Sequence, residues 1–240
     1  MSTSRLYKQL ARPLPEFHGS PKYKPILLSD SKGMALQKCV ENVSPEQHIV
    51  FSCRPGAKTG EQYQWFYDLL ESNPVQNKYH CYVWCGTCDL TSKNGKYITL
   101  RNRNDESIER VLDTFDKFDK LCGVRHIPIT FLEIPHYSIV QWNKAHGHPS
   151  PHQFSVDDKL LSDQVSMLNS EIRDYNADNN SYPSPKFSLD LENNRKSKGK
   201  PSQYYLNWNL YRDGLHPKDL LSQVWLQRLS SHIIRSCYIR

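Results

Sequence analysis

Asp213 and His216 stand three residues apart in Tyr211-Arg212-Asp213-Gly214-Leu215-His216-Pro217, where an apolar-periodic segment begins. A carboxylate beside an imidazole can fix its tautomer and stabilise the imidazolium, as a general base requires. Alone, Asp-x-x-His is equally an ordinary polar entry to a helix, with Pro217 suited to a first helical turn. Near the other end, Pro25-Ile26-Leu27-Leu28-Ser29-Asp30-Ser31-Lys32-Gly33 reads as an apolar strand running into a serine. A serine hydroxyl is a poor nucleophile until a base takes its proton. An early strand-end serine and a late Asp/His pair suggest a hydrolase triad split across the chain. The competing reading of Asp30 and Ser31 is a plain helix N-cap.

Two further blocks lie between these ends. Ser52-Cys53-Arg54-Pro55-Gly56-Ala57-Lys58-Thr59 offers Gly56, where the missing Cβ lets a backbone N–H approach a ligand, although a turn glycine is the simpler explanation. Gly86-Thr87-Cys88-Asp89-Leu90 offers Cys88, whose thiol is only a weak donor. Lys32, Arg54 and Lys58 adjoin these blocks and would suit an anionic substrate, or simply be exposed basic loops. His80 with Cys81, Cys85 and Cys88 lacks a second well-spaced Cys/His pair, so core thiols are favoured over a metal site. His146, His148 and His152 read as a polar lid.

The positioning elements alternate. Segments 25–29, 48–52, 81–85 and 127–134 are short and almost continuously apolar, as strands buried on both faces are. Helical periodicity marks 32–41, 60–72, 106–122, 157–176 and 217–235. This alternation predicts a three-layer α/β/α sandwich around a mainly parallel, flavodoxin-like sheet, whose ligands sit at the carboxyl ends of the strands. Residues 1–24 read as an extended N-terminal arm and 25–240 as one domain; 143–156 and 177–203 read as surface loops, the second carrying the basic run 195–200.

Composition sets the bounds. The 240 residues suffice for one sizeable core, and 31 Lys+Arg against 25 Asp+Glu give a net charge of +6. That mild excess allows a nucleic-acid partner without favouring one. The first residues lack a signal peptide's apolar core, and no run approaches the ~18 apolar residues of a membrane span. With seven cysteines, an odd number, the expectation is an intracellular, cytoplasmic setting with reduced thiols.

In their order and spacing the four blocks resemble the SGNH (GDSL-like) hydrolase superfamily, over about residues 25–235. The resemblance implies an esterase or acyl hydrolase with Ser31 as nucleophile, His216 as base and Asp213 as its orienting acid. It places the oxyanion hole at the backbone of Ser31 and Gly56 and at position 88, where the family has asparagine and this chain has Cys88. Ser29 stands where the family has the first glycine of Gly-Asp-Ser. Family members cleave esters of lipids, sugars and small acyl groups, with no metal or cofactor. The alternative is a weakened or inactive module that binds nucleic acid or protein, of a kind found in mobile-element proteins.

Overall fold

The computed structural model describes residues 3–41, 45–72, 78–179, 182–195 and 203–238. In chain order these form α1 (Ser4–Leu10), β1 (Lys24–Ser29), α2 (Ser31–Gln37), β2 (Val50–Cys53), α3 (Thr59–Ser72), β3 (Tyr79–Trp84) and α4 (Thr87–Leu90). There follow β4 (Thr91–Asn94), β5 (Tyr97–Leu100), α5 (Glu106–Arg125), β6 (Ile129–Phe131), α6 (Ile139–Ala145), α7 (Ser155–Asn179), β7 (Glu192–Arg195), β8 (Gln203–Leu206) and α8 (Asp219–Cys237).

Strands β2-β1-β3-β6 make a parallel sheet in that order, with Leu28 between Ser52 and Val83. Alternate side chains divide its core in two. Ile26, Leu28, Cys81, Val83 and Phe131 pack with Phe66 of α3, Phe115 of α5 and Leu168 of α7. Leu27, Tyr82 and Trp84 pack on the other face with Leu36 of α2 and with Leu221, Val224, Trp225, Leu229 and Ile233 of α8. These five α8 residues fall on one helical stripe and are fully buried, each contributing about 1.5–3 kcal/mol. The expected α/β architecture with flanking helices is therefore present.

Strand β6 ends the sheet, and its outer edge is closed by two amides from α7. Asn176 accepts from the Phe131 N–H and donates to the Phe131 carbonyl; Asn169 does the same for Ile134, at 2.7–2.9 Å throughout. Two asparagines seven residues apart thus replace a neighbouring strand, which an unpaired edge otherwise invites.

Three expectations need correction. The arm 1–24 is not wholly extended: Ser4–Leu10 is helical because Leu6 can be buried in the α8 cluster. Segment 143–156 is partly the end of α6, begun by the Ser138 hydroxyl accepting from the Gln141 N–H at 3.0 Å. In 177–203, α7 continues to Asn179 and β7 opens a hairpin with β8, while 196–200 of the basic run lie outside the described residues. Among the described residues no helix is long and apolar enough to cross a membrane.

Candidate active site

The strand order reverses direction between β1 and β3, and at their carboxyl ends the sequence blocks converge, as the ligand crevice of such sheets requires. Asp30 turns the chain from β1 into α2, its carboxylate accepting from the Lys32 N–H at 2.8 Å. This cap places Ser31 at the first position of the helix. From the far end of the chain, the loop before α8 closes on itself: Tyr211 bridges Pro217, and the Arg212 N–H donates to the His216 carbonyl at 2.8 Å. Gly214 sits inside this loop at φ +87°, where a Cβ would lie 2.4 Å from the Gln141 side chain. Only glycine allows the loop to press on α6 in this way.

The loop aims two side chains at Ser31. His216 Nε2 is 3.0 Å from Ser31 Oγ, and His216 Nδ1 is 2.7 Å from Asp213 Oδ2. With its proton on Nδ1, donated to Asp213, the imidazole presents a lone pair on Nε2 to the serine hydroxyl. The other Asp213 oxygen accepts from the backbone N–H groups of Leu215 (3.0 Å) and His216 (2.8 Å). Burial raises the Asp213 pKa, but the hydrogen bonds and charge of His216, with the Leu215 N–H, outweigh it and hold the carboxyl below its ordinary value. The carboxylate stays ionised and the imidazole stays oriented.

The opposite bank is organised around a charge whose burial nothing in the chain's pattern suggests. Lys32 is 2% exposed and Asp30 1%. The Lys32 ammonium donates to Asp30 and to the Thr87 hydroxyl, each at 2.5 Å, and lies 5.5 Å from the Trp84 ring centroid. It therefore faces inward, which removes it from the three cations set beside a substrate by sequence alone. The Cys88 thiol lies 4.0 Å from the same Asp30 carboxylate. Burial, then the Asp30 charge, push Cys88 up to about 12 against the opposing pull of Lys32, so it remains a thiol. Gly56 lies in an exposed turn at φ +75°, with nothing within 4 Å of a Cβ position.

Side chains that had no sequence signal tie the blocks together. The Ser29 hydroxyl, where the family pattern has glycine, donates to the Trp84 carbonyl at 3.0 Å and joins the ends of β1 and β3. Gln62 of α3 donates to the Ser29 carbonyl at 2.7 Å. Asp89 accepts from the Thr59 N–H and hydroxyl, linking the third block to the second. Arg101 spends its guanidinium on the carbonyls of Cys88, Asp89 and Thr91, and Tyr137 donates to that of Thr87. Polar side chains that satisfy a particular backbone group look like any surface residue in a sequence. The seven cysteines are free, and among the described residues no group of three His, Cys, Asp or Glu is placed to hold a metal ion.

A GDSL-like lipase from Bacteroides thetaiotaomicron superposes with a TM-score of 0.62 at 12% identity, over 98% of this chain and 97% of that one. The fold is that of the GDSL-like hydrolases. A Bacteroides fragilis protein assigned as an acylhydrolase gives a TM-score of 0.63 at 14% identity, over 97% and 96% of the two chains. The lipase/acylhydrolase of Enterococcus faecalis gives 0.53 at 12%, over 91% and 98%. No family model and no curated protein matches the chain by sequence. The motif letters that name the fold put leucine after the serine; this chain has Lys32 there.

Proposed function

We propose that the protein is a serine hydrolase of carboxylic esters. The observation that carries this reading is the unbroken chain Ser31 Oγ–His216–Asp213, at 3.0 and 2.7 Å. In the first step Ser31 Oγ attacks the acyl carbonyl as His216 Nε2 takes its proton. Asp213 stabilises the imidazolium so formed. The tetrahedral oxyanion collapses, expelling the alcohol, which receives the proton from His216. Water, deprotonated by His216 in turn, then cleaves the acyl-serine and releases the acid. The oxyanion is held by the backbone N–H groups of Ser31 and Gly56, with Cys88 a weak third donor. A missing side-chain donor commonly costs about 10²–10³ in rate, so slow turnover is expected.

Hydrolysis of a short-chain p-nitrophenyl ester tests the reading. The wild-type protein should show turnover that Ser31→Ala lowers by about 10⁴-fold or more. Equal rates in the two proteins would refute it.

A further inference from the structure

Beside His216 stands a wall that the triad does not use. It is made by the β4–β5 hairpin and α6. Asn143 of α6 is fully buried and exchanges hydrogen bonds with both backbone groups of Ile98, at 2.9 Å each. The Trp142 indole donates to the Lys96 carbonyl at 3.0 Å, and the Tyr97 hydroxyl to the Gly147 carbonyl at 3.2 Å. The hairpin is thereby fixed to the helix rather than left to swing. The Trp142 ring also lies 5.4 Å from the His216 ring and 4.1 Å from that of His146. The wall and the catalytic base are in direct contact.

Its charge is one-sided. Residues 91–101 and 139–148 contain Lys93, Lys96, Arg101, Lys144, His146 and His148, and no aspartate or glutamate. Arg101 is already occupied by backbone carbonyls. Lys93, Lys96 and Lys144 are exposed, and among the described residues none pairs with a carboxylate. The Lys93 ammonium lies 5.9 Å from the centroid of Trp142, the ring that touches His216. Trp142 thus links the Lys93 ammonium to the ring of His216, on one side of the ester bond proposed to be cleaved at Ser31. Cations without carboxylate partners on a rigid surface give a potential that favours anions and is weakened by salt.

We infer that the ester cleaved at Ser31 carries a negative charge, and that the hairpin–α6 wall selects it through Lys93 and Lys96. This rests on the hydrolase reading and narrows it to anionic esters. The charge can be carried by either half of the ester, so two matched pairs are needed. The p-nitrophenyl monoester of glutaric acid against p-nitrophenyl pentanoate places it on the acyl side. Acetylated 4-hydroxybenzoate against its methyl ester places it on the alcohol side.

At low salt, the charged member of at least one pair should have roughly tenfold higher kcat/KM than its neutral partner, and salt should shrink that ratio. The pair that responds names the side. In Lys93→Gln/Lys96→Gln the charged-to-neutral ratio should fall several-fold, mainly through KM. Turnover of the neutral esters that depends on Ser31, with no preference for charge in either pair, overturns the inference and leaves the hydrolase reading standing. A preference untouched by the double substitution overturns the role of the wall. No Ser31-dependent turnover of any of the four esters overturns both.

Discussion

The two banks of the crevice between β1 and β3 meet the reaction differently. On the α8 side every partner is in place: Asp213 holds His216, His216 reaches Ser31, and Gly214 locks the loop against α6. On the β3 side the polar groups are turned toward one another. Lys32 answers Asp30 and Thr87, and the Cys88 thiol also approaches Asp30. The base and its orienting acid come from one seven-residue loop and are decided locally. The proposed oxyanion side is assembled from three separate strand ends, so each substitution there alters how the blocks meet. On the proposed reading, such a site keeps its nucleophile activated while its transition-state binding is rebuilt.

Substitutions can press on this contrast from either bank. Lys32→Met should act most strongly, because it strands the Asp30 carboxylate in a site only 1% exposed. Breaking one partner of a buried ion pair costs about 3–5 kcal/mol. Urea unfolding reads it directly, and a loss below about 1 kcal/mol would show that the pair does not bind the β3 bank together.

Acid should next weaken the packing of α8 on β3. His80 in β3 and His232 in α8 are pushed down by burial, to about 3 and about 4, from 6.5. The unfolded chain takes up these protons near pH 6.5 and the folded chain does not, so the stability is fully present above pH 6.5 and declines as pH falls toward 4. The loss at pH 5 is about 2 kcal/mol for each histidine. Denaturation midpoints at pH 7.5 and 5 measure it, and unchanged midpoints would mean the two rings are not held neutral. Asp213, whose pKa is lowered instead, keeps its charge across that interval.

The smallest effect expected is a gain. Cys88→Asn restores a strong side-chain donor and should raise kcat by about tenfold, with KM little changed. Unchanged or lower kcat would place the limit on turnover elsewhere than at residue 88.

Much of this arrangement was legible in the chain. The four central strands are continuous apolar runs, and α3, α5, α7 and α8 keep the helical period, so their order alone implied the sheet. The approach of Ser31, Asp213 and His216 was readable because the triad expected of them demands particular residue types at particular strand and helix ends. The hairpin β4–β5 was not. Its Asn94-Gly95 turn is a strong hairpin signal, yet only Ile98 among its strand residues is buried, so no apolar alternation marks the strands. The inward turn of Lys32 was equally hidden, since lysine is almost never fully buried and its partners Asp30, Thr87 and Trp84 converge on it only in the fold. Asn169 and Asn176 resemble solvent-facing positions of a long helix until the free edge of β6 is placed beside them.

The central claim is that His216 and Asp213 activate Ser31. Treating the native protein with a fluorophosphonate, which captures activated serines, and locating the adduct by peptide mass spectrometry tests it most directly. An adduct confined to Ser31, formed by the native protein and lost in His216→Ala, is the expected result. A folded protein that leaves Ser31 unmodified, or that is modified equally without His216, would contradict it.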